Sequence, residues 1–364
     1  MNKRTISLGV SLLASFAIPL LVQAQPSSQY IPPENAAALN QVIPDSPGLQ
    51  VPQLSLGHAI ERLSGTEGVD AGAPTKEDSK ELTTPSVAPA GDSDDGFSAP
   101  EAYSEYKFAQ IQDNRSIGFD GPQHNAIVGF DFESYWKTII GFNFTYTNTS
   151  LTTNLAPASF YNSSNAYFFS NYVAKNFDDW VNVGGSFTYG RTDSQFRANI
   201  SAAPPFALGQ KTTQDTFALS PFVGAAHTFG AWSFSSTATY IWGYDHFSFD
   251  NPSLNNAPAP GAIPPPDAKT LNQTFLLLNN AQYAIDDKWS VSVQANYNRL
   301  LTTQTVQTTV TPLIPSLGHQ WMSFGARADY SFNKDGSIFA AFEHDAFNTH
   351  FDDYRIRTGI SYNF

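Results

Sequence analysis

From about residue 105 to the end, apolar and polar residues alternate with a period of two, segment after segment. Ala126, Val128, Phe130 and Phe132 alternate with Ile127, Gly129, Asp131 and Glu133. Ile140, Phe142, Phe144 and Tyr146 alternate with Gly141, Asn143 and Thr145, and Trp289, Val291, Val293, Ala295 and Tyr297 with Ser290, Ser292, Gln294 and Asn296. The last stretch, RTGISYNF, puts Phe364, Tyr362, Ile360, Thr358, Ile356 and Tyr354 on one side and Arg355, Arg357, Gly359, Ser361 and Asn363 on the other. Successive side chains of a strand point to opposite faces, so this pattern predicts strands with one apolar and one polar face. It excludes a helical domain, whose apolar period is 3.6.

Twelve strands are predicted, near 104–112, 124–133, 137–148, 164–174, 179–190, 213–226, 231–244, 270–285, 289–300, 318–332, 337–345 and 353–364. In the eighth, two sets compete for the outer face: Thr274, Leu276, Leu278 and Asn280, or Phe275, Leu277, Asn279 and Ala281. The links between strands alternate in length. Short turns fall at 134–136, 175–178, 227–230, 286–288 and 333–336; longer links lie at 113–123, 149–163, 191–212, 245–269, 301–317 and 346–352. The 245–269 link contains NPSLNNAPAPGAIPPPD, which cannot form a central strand because proline lacks the donor. Short turns at one end and long loops at the other are expected of an outer-membrane barrel. The apolar face then meets lipid, and closure removes the unpaired edges that a bilayer does not tolerate. A soluble β-sandwich is the competing reading. The polar face argues against it, being filled with Asn, Gln, Ser, Thr and Gly. So do the aromatics near strand ends (Trp232, Trp242, Tyr244, Trp289, Tyr297, Trp321, Tyr330 and Phe332), where an interfacial girdle would place them.

The N-terminal quarter has a different texture. Residues 1–24 read as a secretory signal peptide: basic Lys3 and Arg4, an apolar run from Ile6 to Val22, and small residues at the VQA cleavage site. Residues 25–104 hold ten prolines and 12 acidic against 3 basic residues. Such a segment lacks the apolar area to offset chain entropy, so a disordered acidic, Pro-rich segment is expected, either a short passenger or a periplasmic linker. Two short patches, Glu34 to Ile43 and Leu54 to Leu63, have helical character and could dock on a partner surface. The fold class expected is all-β: a 12-stranded antiparallel transmembrane β-barrel over 105–364, preceded by the acidic segment.

Composition excludes several functions. With no cysteine there is no disulfide framework, thiolate metal site or Cys nucleophile. A net charge of −13 argues against nucleic acid as a partner. No nucleophile elbow or phosphate-binding glycine loop is present, and neither a cofactor nor an enzymatic activity is expected.

Residues 105–364 resemble the translocator β-domain of autotransporters. The resemblance rests on VGFDFE followed by TIIGFNFTYTNT, on YFFSNYVAKNFDDWVNVGGSFTYGRTDSQFR, and on the closing FGARADYSF and YRIRTGISYNF. It implies a 12-stranded barrel in a Gram-negative outer membrane, inserted by the outer-membrane assembly machinery. Phe364, Tyr362 and Ile360 would then be the assembly signal. It also implies a helix threading the lumen and a passenger outside the cell. The segment of about 80 residues before the barrel has no repeats of a β-helical passenger. A monomer in the lipid bilayer is expected.

On the polar faces, Asp131, Glu133, Arg327, Asp329, Glu343, Arg355 and Arg357 would give a lumen of mixed sign. Two roles are open to them: cross-strand ion pairs that brace the barrel, or a charged constriction that selects solutes. A third arrangement plugs the lumen with Glu34–Ile43 or Leu54–Leu63. FEHDAFNTHFDD gathers Glu343, His344, Asp345, His350, Asp352 and Asp353 at the long-loop rim, and YDHF adds Asp245 and His246. Carboxylate–histidine groups can activate water or hold a metal, but polar residues gather in loops in any case. Three functions are therefore open to the chain: a translocator or anchor for the acidic segment, a channel for small solutes, and an adhesin or enzyme built on the long loops.

Overall fold

The computed structural model describes residues 100–112, 120–134, 138–155, 158–178, 180–201, 206–258, 267–305, 320–347 and 353–364. The expected signal peptide, the segment up to residue 99 with the two patches expected to be helical, and His350 and Asp352 lie outside the described residues.

The first half of the barrel comprises β1 (Glu101–Gln112), β2 (Asp120–Ser134), β3 (Thr138–Leu155), β4 (Ala158–Asp178), β5 (Val181–Ile200), β6 (Phe206–Phe229) and β7 (Trp232–Phe249). A small hairpin of β8 (Ser253–Leu254) and β9 (Ala257–Pro258) follows in the next loop. The rest is β10 (Ala268–Ala284), β11 (Trp289–Thr305), β12 (Gln320–Ser331), β13 (Gly336–Ala346) and β14 (Tyr354–Asn363). Each barrel strand pairs antiparallel with its neighbours in sequence, β7 pairs with β10, and β14 returns to pair with β1. Twelve strands thus close into a barrel, and no helix occurs among the described residues. The β1–β14 seam runs from Glu101 opposite Asn363 to Gln110 opposite Tyr354. Both chain ends of the barrel therefore meet at the short-turn rim.

The expected faces hold along the wall. Val128, Phe142, Phe144, Phe169, Phe187, Val293, Phe342, Ile356, Ile360 and Tyr362 are exposed, while Asn143, Thr145, Ser170, Thr188, Ser220, Thr239 and Ser292 are buried inside. Large apolar groups pointing out and hydroxyls pointing in are the reverse of a soluble core, and they fit a barrel whose outer solvent is lipid. In β10, Thr274 and Leu276 are fully buried, which turns Phe275, Leu277, Asn279 and Ala281 outward. Trp321 departs from the expected girdle. Its side chain is buried inside, in step with Ser323 and Arg327, because the odd positions of β12 face the lumen.

Strand ends also differ from expectation. β3 runs to Leu155 and β4 starts at Ala158, so the predicted loop 149–163 is mostly paired strand. Likewise β5 and β6 stay paired out to Ile200 and Phe206 within the predicted loop 191–212. β6 has 24 residues, whereas a transmembrane strand needs roughly 9–11. Beyond the bilayer the outer face no longer needs to be apolar. The sequence loses its alternation there although the backbone ladder continues. On the opposite rim, the β6–β7 turn is two residues long and carries Gly230 at φ +60, a conformation that favours glycine. β1 starts at Glu101, a few residues before its expected position, so Glu101 to Ser104 belong to the barrel rather than to the acidic segment.

Candidate functional site in the barrel lumen

The inward charges concentrate on one strip of wall, from β12 through β13 and β14 to β1. These strands carry them because the lumen face of each has odd-numbered residues: Arg327 and Asp329, Glu343 and Asp345, Arg355 and Arg357, Glu105 and Lys107. Arg357 sits at the centre. Its Nε and Nη2 donate to the two carboxylate oxygens of Glu105 at 2.7 and 3.0 Å, and its Nη1 donates to Glu343 at 2.9 Å. The first of these pairs crosses the β1–β14 seam and is the bidentate geometry in which a planar guanidinium binds best. Arg355 binds Asp345 and lies 3.7 Å from Glu343 and 4.0 Å from buried Asp353. Arg327 pairs with Asp329 at 2.6 Å and stacks over the Phe339 ring at 3.9 Å, an attraction between a cation and the negative ring face.

Of the seven charges expected in the lumen, Arg327, Asp329, Glu343, Arg355 and Arg357 gather in this strip. Asp131 stands apart on β2 and accepts a 2.7 Å hydrogen bond from Tyr172 Oη on β4. That bond passes over Gly141 of β3, where an added Cβ would lie 2.2 Å from the Tyr172 ring. A glycine is required by this close approach. Glu133 is half-buried at the short-turn rim and joins no ion pair among the described residues. Glu105 was missed because YKFAQIQD has a weak outer face. The signal was nevertheless present: Glu105 and Lys107 alternate with Tyr106 and Phe108.

Among the described residues the carboxylate–histidine cluster does not assemble. Glu343 and Asp345 face the lumen, whereas His344 points outward and stacks on Tyr354 at 4.8 Å. Asp245 and His246 split the same way. Asp245 is buried inside β7, where it accepts from Gln214 (2.8 Å), Thr216 (2.6 Å), Asn272 (2.8 Å) and Thr270 (3.5 Å). His246 lies on the outer face, 3.2 Å from Asp267. In a strand, adjacent residues cannot share a site, which is why the sequence cluster dissolves.

The opposite wall, β3 to β11, carries few charges. Its lumen face is lined by hydroxyls and amides, among them Thr145, Ser186, Ser220, Thr237, Thr239 and Thr274, whose oxygens have no protein partner. Near the short-turn rim, Ile139, Tyr172 and Phe222 cluster with Leu278 inside the barrel. The lumen is therefore electrically lopsided and narrowed by side chains.

No protein-family model matches the chain, and no curated protein matches it. Solved structures do. The translocator domain of the autotransporter NalP from Neisseria meningitidis aligns with a TM-score of 0.59 at 15% identity, over 73% of this chain and 89% of that one. The β-domain of the Bordetella autotransporter BrkA aligns with a TM-score of 0.53 at 15% identity, over 73% of this chain and all of that one. Identity this low carries the fold, which the closed wall and its outward aromatic belt establish independently. The chain is a closed β-barrel with an apolar outer face and the twelve-stranded fold of autotransporter translocator domains.

Proposed function

We propose that the barrel anchors or translocates the short acidic segment that precedes it. The carrying observation is the position of β1: Glu101 pairs opposite Asn363 at the short-turn rim, beside the lumen mouth. In outer-membrane barrels the short turns are periplasmic. On this reading the chain before residue 100 joins the barrel at the periplasmic mouth of a polar-walled lumen. Its charge, 12 acidic against 3 basic residues over 25–104, opposes collapse into a packed core before passage. The relatedness in fold to the NalP and BrkA domains supports the same reading. Insertion by the outer-membrane assembly machinery would use Phe364, Tyr362 and Ile360, which form one lipid-facing row on and just beyond β14. The reading takes the working unit as a monomer, because a closed barrel leaves no strand edge that needs a partner.

The test is protease shaving of intact cells carrying an epitope tag inserted after residue 30. Loss of the tag without lysis supports translocation; a tag protected until the outer membrane is opened refutes it.

A second reading, a channel for small solutes, draws on the lopsided lumen, where a charged strip faces a hydroxyl wall. It requires a protected tag together with single-channel conductance in planar bilayers, and a silent bilayer refutes it. No catalytic role is proposed for the rim, because His344 and His246 face away from the lumen carboxylates.

A further inference from the structure

On the outer face of the wall, one row of residues that crosses five strands stays small until its last member. Ala225 on β6 stands opposite Ser236 on β7, Ser236 opposite Asn279 on β10, and Ala295 on β11 opposite Phe324 on β12. Asn279 and Ala295 are joined by a side-chain hydrogen bond. Exposed Phe234 and Val293 project beside the row, and an open depression of about 700 Å³ follows it. With strands about 4.8 Å apart, four steps make a groove about 19 Å long. The groove slants. Ala225 lies four residues from the end of β6 at Phe229, whereas Phe324 lies seven from the end of β12 at Ser331. The lower end opens at the short-turn rim beside His227 and Trp180, whose carbonyl accepts from the Ala226 N–H at 2.9 Å. The upper end stops at Phe324, deeper in the hydrocarbon.

The polar side chains in the floor of the groove are bound to the wall itself. Pairing between β10 and β11 lapses here, and Leu278 and Asn279 have no Cα partners on β11. Asn279 N–H donates to Asn296 Oδ1 at 3.2 Å, and Asn279 Nδ2 donates to the Ala295 carbonyl at 2.9 Å. Ser236 Oγ donates to Asn279 Oδ1 at 2.9 Å. Polar groups satisfied in this way tolerate an apolar neighbour, which unsatisfied ones would not.

We propose that this groove holds one acyl chain of a diacyl phospholipid from the leaflet at the short-turn rim, with the head group beside Trp180 and His227. The groove is continuous with the lipid-facing belt, so hydrocarbon is the medium that meets it. Left empty, its lining would forfeit dispersion contacts along its whole length. One leaflet of hydrocarbon is about 15 Å deep, half of a core of about 30 Å. A slanted groove of about 19 Å therefore takes a chain from the interface to the level of Phe324. The second chain stays in the surrounding lipid, and the head group stays at the interface, where an indole such as Trp180 belongs. The proposal requires a bilayer at the outer face and not translocation, so the outcome of the shaving experiment does not bear on it.

The test reconstitutes the full-length protein in vesicles of palmitoyl-oleoyl phosphatidylethanolamine, transfers it to mild detergent and weighs it by native mass spectrometry. The unmodified protein should retain one phospholipid per barrel. Ala225→Phe and Ala295→Phe, which fill the groove from the lipid side, should each lose it, while band shift on unheated gels shows the barrel still closed. Val128→Phe, on the outer face of β2, is the control and should keep it. In a second arm, a phosphatidylethanolamine with a diazirine at the end of one chain is photolysed in the vesicles. Crosslinks should concentrate on the β11 and β12 peptides that carry Ala295 and Phe324. A barrel that retains no phospholipid overturns the proposal, as does retention unchanged by both groove-filling variants or lost equally in the β2 control. Crosslinks spread evenly around the wall overturn the seating of the chain.

Discussion

Replacing Arg357 with methionine is the most informative single perturbation of this barrel. Arg357 on β14 holds Glu105 on β1 and Glu343 on β13, and all three side chains are largely hidden from solvent, at 13%, 13% and 11% exposure. Methionine keeps most of the apolar stem and removes the charge. Two carboxylates then remain in the wall, one with no other described ion pair and one with Arg355 at 3.7 Å. Breaking a buried pair by deleting one partner costs about 3–5 kcal/mol, because the surviving charge is left unpaired. The double variant Arg357→Met/Glu105→Gln removes that uncompensated charge at the seam. It should recover about 1.5–3 kcal/mol, the worth of a charged hydrogen bond. The assay is reversible urea unfolding in phospholipid vesicles, followed by tryptophan fluorescence and by band shift on unheated gels. If Arg357→Met costs less than about 0.5 kcal/mol, in the range of a surface salt bridge, the seam pair is solvated and the reasoning fails. Strictly additive single variants would refute it equally, since pairs in contact do not add.

Three further outcomes are expected. Val128→Arg, on the exposed outer face of β2, should cost about 2–4 kcal/mol in bilayers if that face meets the hydrocarbon midplane. The same variant in water-soluble amphipol should cost far less, and equal losses would deny lipid contact. Asp245→Ala removes the shared acceptor of Gln214, Thr216, Thr270 and Asn272, and urea unfolding should show a loss of about 1.5–3 kcal/mol; Asp245→Asn should retain part of this. Gly141→Val pushes into the Tyr172 ring and displaces its bond to Asp131. A loss of about 1–3 kcal/mol is expected from overpacking, and a Gly141→Val/Tyr172→Ala pair should fold better than Gly141→Val alone.

The sequence alone determined the class of this protein. Its period-two alternation fixed which residues of each strand share a face, and the outward row Ile356, Ile360 and Tyr362 is as legible in RTGISYNF as in the barrel. The alternation of short and long links, with the proline-rich stretch in one of them, set the number of strands and which rim is which. The physical reason is that lipid imposes a one-residue rule on each outward position, and that rule survives in a single sequence. The rule stops at the membrane boundary. This is why the paired extensions of β3 to β6 read as loops, and why Trp321 at the end of β12 was placed in the girdle when it points inward.

Pairing across strands was decided only by tertiary structure. The register that brings Arg357 to Glu105, 252 residues apart, depends on how twelve strands stagger on closing. It leaves no local signature. The same closure separated Glu343 from His344 and Asp245 from His246, neighbours in sequence that a strand sends to opposite faces. It also placed Asn279, Asn296 and Ser236 around one lapse in the ladder. Alternation specifies a face; only the closed sheet specifies a neighbour, because neighbours in a barrel are set by shear and not by distance along the chain.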